Sequence, residues 1–120
     1  MINQLPEFQG NVLGFEAHGE VTAEDYETVL IPVIEGALDS YQKIRLFYQI
    51  GPDFHGFTAG AMWDDAKLGL KHLRAWEKVA LVTDVEWLRK TIRCFAFMIP
   101  GQVKLFGNSE ADEARHWILY

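Results

Sequence analysis

Hydrophobic and polar positions change period several times along this chain, and each change marks an element. A short apolar start, Ile2 to Leu5, precedes NVLGFEAHGEV (11–21), a stretch rich in strand formers and broken by Gly14 and Gly19. After it, Tyr26, Val29, Leu30, Val33, Ile34 and Ala37 recur at steps of three and four, the signature of one buried helix face. Thr22 with Asp25 three residues on forms a capping box that opens this helix. Pro32 lies inside the pattern, and its missing N–H predicts a kink or interruption near Ile31.

KIRLFYQI (43–50) is almost continuously apolar and reads as a strand buried on both faces. The segment 51–63 reads as a connection to a helix over DDAKLGLKHLRAW (64–76). That helix is expected to place Trp63, Ala66, Leu70 and Leu73 on its inner stripe, with Lys67, Lys71 and Arg74 beside it. KVALVT (78–83) predicts a central strand, and Asp84 is expected to cap a helix over 84–99 that Pro100-Gly101 stops. QVKLF (102–106) predicts the next strand. Ser109 with Asp112 then caps a last helix with Ala111, Ala114, Trp117 and Ile118 inward. The order β-β-α-β-α-β-α-β-α implies crossover connections, hence an α/β sandwich of about five mostly parallel strands and four helices. The first two strands are too close for a crossover and form an edge hairpin. Residues 1–120 make a single domain.

The helix over 84–99 has an unusually wide apolar arc. Val85, Leu88, Ile92, Phe95, Ala96 and Ile99 form a sheet-facing stripe, and Trp87, Thr91, Cys94 and Met98 extend it sideways. A simple surface helix does not bury so broad an arc. A neighbouring helix, a second subunit or an apolar ligand is required to cover the Trp87–Met98 side.

Composition narrows the function classes. In 120 residues, 49% are hydrophobic and no run reaches the length of a membrane span. MINQLPEFQG lacks the basic-then-apolar order of a signal peptide, and a lone cysteine, Cys94, fits a reducing compartment, so a cytoplasmic protein is expected. The net charge of −6 argues against a nucleic-acid partner. Its distribution is uneven: residues 1–42 carry eight acids and no lysine or arginine, whereas 67–104 carry eight bases against three acids. That basic region suits an anionic ligand or membrane surface, or simply balances the other half.

The segment GPDFHGFTAGAMWDD (51–65) carries the most unusual chemistry. It holds no P-loop lysine and no dinucleotide fingerprint, so it is not a phosphate cradle. The four histidines are scattered without metal-ligand spacing. Asp53 with His55, or Asp64 with Asp65, are pairs of a common kind that more often serve as turn or helix-cap residues than in catalysis, so no catalytic residue, metal or cofactor is expected. Two readings remain for Phe54, Phe57, Met62 and Trp63: an apolar lid hinged at Gly51, Gly56 and Gly60, or a self-packed loop completing the core.

VTDVEWLRK (82–90), PGQVKLF (100–106), EADEARHWI (110–118), HGEVTAEDYETVLIPVIE (18–35) and KIRLFYQI together resemble the SpoIIAA-like family of small bacterial proteins, over a span from about Asn11 to Ile118. The resemblance implies a STAS-type fold, akin to CRAL-TRIO-type lipid carriers, with ligand binding and membrane association. True anti-sigma-factor antagonists of that fold carry a phosphorylated serine in Asp-Ser-(Ser/Thr)-Gly after the corresponding strand. Here that segment has no serine, and its one hydroxyl, Thr58, lies between Phe57 and Ala59, so the phosphorylation switch does not transfer. The expected function is non-enzymatic binding of a small apolar or lipid-like molecule, with reversible membrane contact as a further expectation. Ligand contacts are expected from Phe54, His55, Phe57, Met62, Trp63, Trp87, Thr91 and Met98, and membrane contact from Lys67, Lys71 and Arg74. The alternative is a homodimeric protein-interaction module that buries the same apolar surface.

Overall fold

In the computed structural model, which describes residues 1–120, five strands form one sheet in the order β1-β2-β3-β4-β5. They are β1 (Ile2–Gln4), β2 (Val12–Val21), β3 (Ile44–Phe57), β4 (Trp76–Val82) and β5 (Gln102–Phe106). The first pair is antiparallel, with Ile2 opposite Ala17, and the other three pairs are parallel. The edge hairpin and the parallel remainder thus match the alternation in the sequence.

Four helical segments connect or follow the strands: α1 (residues 23–40), α2 (Ala59–Lys71), α3 (Glu86–Phe95) and α4 (Ala111–Leu119). Right-handed crossovers between successive neighbouring strands place α1, α2 and α3 side by side on one face. Under them lies the larger core, including Phe15, Tyr26, Leu30, Ile34, Tyr48, Ile50, Leu68 and Leu88. On the opposite face, α4 brings Ala114 and Ile118 onto Phe47, Ala80, Val82 and Phe106. Both faces of the sheet are covered, which is why strands β3 and β4 read as nearly continuous apolar runs.

The Thr22 cap forms as expected: the Asp25 N–H donates to Thr22 Oγ1 (3.2 Å) and the Thr22 N–H donates to Asp25 Oδ2 (2.8 Å). Pro32 acts through the turn before it. Residues Tyr26–Leu30 form a π-helical turn, in which Ile31 N–H donates to Tyr26 O, and ordinary helix resumes over Ile31–Ser40. A proline cannot supply the next α-helical donor, so the register loosens on its N-terminal side.

Several boundaries differ from the expectation, each for an identifiable reason. Strand β3 does not stop at Ile50 but continues to Phe57, because Phe54, Gly56 and Phe57 pair with Gly19, Glu20 and Val21 across two irregularities in register. Helix α2 begins at Ala59 rather than Asp64, because Thr58 Oγ1 accepts the Ala61 N–H and starts it. This earlier start sets a different phase. Ala61, Asp64 and Leu68 are the buried positions, while Trp63, Ala66 and Leu70 lie outside. Asp84 does not cap α3; its Oδ1 accepts the Asn108 N–H instead, and Thr83 Oγ1 accepts that of Val85. At α4 the Ser109–Asp112 cap is replaced by Glu110, whose Oε1 accepts the Gly107 N–H (2.7 Å). α3 itself ends at Phe95, followed by a tight 3-10 turn, Ala96–Met98.

Candidate functional site

The relation of α2 to its two neighbours decides what its surroundings can hold. A Cβ on Gly60 would stand 3.0 Å from that of Ala23, so the start of α2 lies directly against α1. At the other end, Lys71 Nζ and His72 Nε2 both reach the Glu35 carboxylate of α1 at 3.3 Å. Successive helix residues are rotated by about 100°. Gly60, Asp64 and Lys71 therefore share the flank that meets α1. Met62, Asp65 and Gly69 share the opposite flank, the one that faces α3.

α3 keeps its distance. It buries Leu88 and half-buries Val85 and Ile92 against the sheet, but barely touches α2. Trp87, Thr91 and Cys94, at steps of four and three, line one side of it, Met98 follows in the 3-10 turn, and all four are exposed. Trp87 meets the edge of Phe57, the last residue of β3 before α2, at 6.2 Å between ring centroids. Its side of α3 is consequently the one turned toward α2, and no helix of this chain covers it. The result is an open groove between α2 and α3.

The end of this groove at β3 is aromatic. Phe54 and Phe57 are half-buried and pack on one another (4.9 Å), and Phe57 also meets Tyr26 edge-on (6.4 Å). The segment that carries them is pinned to β2 by His18. Its Nδ1–H donates to Asp53 Oδ2 at 2.8 Å, and its Nε2 lies 3.3 Å from Glu16 Oε1. These hydrogen bonds, to Asp53 first and Glu16 second, raise the His18 pKa above 6.5. The protonated form is thus favoured in the folded state. Its stabilisation is complete below about pH 6.5 and is lost as pH rises through the raised folded value. Denaturant midpoints should fall over that rise, and His18→Gln should remove this part of the slope. An NMR titration of the His18 ring with a midpoint at or below 6.5 would contradict it.

Beneath the aromatics lies a polar chain. The Tyr26 hydroxyl donates to Asp65 Oδ1 at 2.9 Å and lies 3.3 Å from the Tyr48 hydroxyl, which donates to it. Both tyrosines are buried, and burial pushes their pKa values upward. Asp65 as a residue is open to solvent, but the dense packing around its carboxylate raises its pKa, against the opposing pull of the Tyr26 hydrogen bond. Its neighbour Asp64 is buried on the α1 flank, with Oδ1 3.6 Å from Lys67 Nζ and Oδ2 without a hydrogen-bond partner. The adjacent aspartates early in α2 are the only sign of this cluster in the sequence. Tyr26 and Tyr48 read there simply as core residues.

The sequence-derived residues fall into three groups. Phe54, Phe57, Met62, Trp87, Thr91 and Met98 belong to the groove or its aromatic end. His55 is exposed beside Gly19, and Trp63, 65% exposed, points away from the groove. On the outer face of α2, Trp63, Lys67 and Leu70 are followed by Arg74 in the next turn, and Lys67 Nζ lies 5.9 Å from the Trp63 ring centroid. Lys71 and Arg74 also line a cleft of about 720 Å³ between the C-terminal ends of α1 and α2, with Glu35, Leu38 and Tyr41. A second cleft, about 520 Å³, lies beside Phe106 and Trp117. Neither includes a groove residue.

The sequence model of the SpoIIAA-like family matches residues 12–119. The chain belongs to the SpoIIAA-like family. A crystal structure of an uncharacterised protein from Shewanella loihica with a SpoIIAA-like fold superposes with a TM-score of 0.76 at 31% identity, covering 98% of this chain and 93% of that one. No functionally curated protein matches. The SpoIIAA-like fold accounts for the sheet order and the α/β layering described above. No helix is long and apolar enough to cross a membrane.

Proposed function

We propose that this SpoIIAA-like protein is a non-enzymatic binding protein that takes a small apolar or lipid-like molecule in the groove between α2 and α3. The observation that carries this reading is the uncovered apolar surface of α3 and of the 3-10 turn that follows it. Trp87, Phe95, Phe97 and Met98 are 44, 58, 83 and 38% exposed, in a chain that otherwise covers both faces of its sheet. Each large apolar side chain gains about 1.5 to 3 kcal/mol on burial, so a face of this kind favours an occupant. The groove is open, with its aromatic end built into the sheet. A ligand therefore lies between two helices and needs no hinged lid over it.

Reversible membrane contact is the companion proposal. The outer face of α2 combines Trp63 and Leu70 with Lys67, and Arg74 follows it, a mixture of aromatic, aliphatic and basic groups suited to a headgroup region. Homodimerisation through α3 is the second reading, favoured by the exposure of Phe95 and Phe97 at its C-terminal end.

Tryptophan fluorescence tests the binding reading. A C12 amphiphile series should change the emission saturably, and Trp87→Phe should remove most of the response while Trp63→Phe should not. An unchanged signal across a panel of apolar ligands, together with a stable dimer in native mass spectrometry, would replace the ligand reading with the dimer.

A further inference from the structure

The groove has apolar walls but one charged group, and that group indicates what kind of head its ligand carries. Asp65 lies on the flank of α2 turned toward α3, open to solvent as a residue while its carboxylate sits in dense packing. Its Oδ1 is occupied by the Tyr26 hydroxyl at 2.9 Å. No lysine, arginine or histidine forms an ion pair with this carboxylate, although Asp25, Asp53 and Asp64 each have a cationic partner. The hydrogen bond fixes the direction of the carboxylate, and Tyr26 is itself held by Tyr48 beneath it. One oxygen is thus left as an acceptor in a position set by buried groups.

A lone, oriented carboxylate on the wall of an apolar groove discriminates between amphiphiles of equal chain length. A fatty carboxylate would bring a second negative charge to the same partly dry site, where like charges repel more strongly than in water. An alcohol could donate one neutral hydrogen bond. A primary ammonium could donate a charge-assisted hydrogen bond to the free oxygen, which is about twice as strong as a neutral one. On the strength of the groove reading above, we propose that the ligand of this groove is an amine-headed apolar molecule whose ammonium is held by Asp65.

The test compares dodecylammonium, dodecan-1-ol and dodecanoate, each below its self-association concentration, by calorimetry on the wild-type protein. Dodecylammonium should bind about tenfold or more tightly than dodecanoate, with the alcohol between them. Asp65→Asn keeps an oxygen for the Tyr26 hydroxyl and removes the charge; it should bring ammonium and alcohol to within about threefold of each other. Asp64→Asn, on the other flank, should leave the order intact. Dodecanoate binding as tightly as dodecylammonium in the wild type overturns the inference without the need for any variant. A preference that persists in folded Asp65→Asn also overturns it, because Asp65 would then not be its source. If none of the three probes binds, the groove reading itself fails; if all bind alike, only the assignment of the head fails.

Discussion

Phe57→Ala should lower the stability of the protein by about 3 kcal/mol, the lower end of the range for deleting a large aromatic from a core. The residue is half-buried rather than fully enclosed, which sets the lower end. Its ring nevertheless joins Phe54, Tyr26 and Trp87, so truncation removes three aromatic contacts together. The same expectation extends to hydrogen exchange. Thr58 N–H donates to Val21 O at 2.9 Å, and Phe54, Gly56 and Phe57 are in register with β2. Backbone amides that donate across this pairing should therefore be protected in the free protein, with or without ligand. Denaturant titration of Phe57→Ala and exchange mass spectrometry of the wild type check the two halves. Fast exchange throughout 53–57 combined with a stability loss below about 1 kcal/mol would restore a mobile lid.

The second large effect is expected at a membrane surface. Replacing Lys67, Lys71 and Arg74 together with glutamine should weaken binding to anionic vesicles by about 30- to 100-fold, with little change for neutral vesicles. Each basic residue close to such a surface contributes about 1 kcal/mol. The three do not start equal: Lys71 is engaged by Glu35 and Lys67 lies near Asp64, so part of their charge is already spent, whereas Arg74 has no ion-pair partner. Arg74→Gln alone should accordingly give the largest single loss, and salt should weaken the wild type in parallel. Trp63→Ala should reduce binding to both vesicle types, since its contribution is apolar. Co-sedimentation with vesicles measures all of this. Equal binding by the wild type and the triple variant would assign these residues to ordinary solvated surface.

What was legible in the sequence was local. The order of elements, the edge hairpin, the Thr22–Asp25 cap and the disturbance ahead of Pro32 all depend on residues within a few positions of each other, and short-range sterics and hydrogen bonding determine them. The broad apolar arc on α3 was also visible, since helical periodicity lies in the sequence itself. Long-range pairing decided the rest. Whether 51–57 is a connection or a strand depends on the edge that β2 offers it, and nothing in GPDFHGF announces that partner. The phase of α2 followed from Thr58 starting the helix early, which turned Trp63 outward and carried Asp64 into the interior. The Tyr26–Asp65 hydrogen bond joins residues 39 positions apart. The groove beside it exists because α2 leans on α1 and leaves α3 standing apart. Periodicity shows how much of a helix is apolar; only the spacing between packed helices decides whether that surface becomes core or remains open to a ligand.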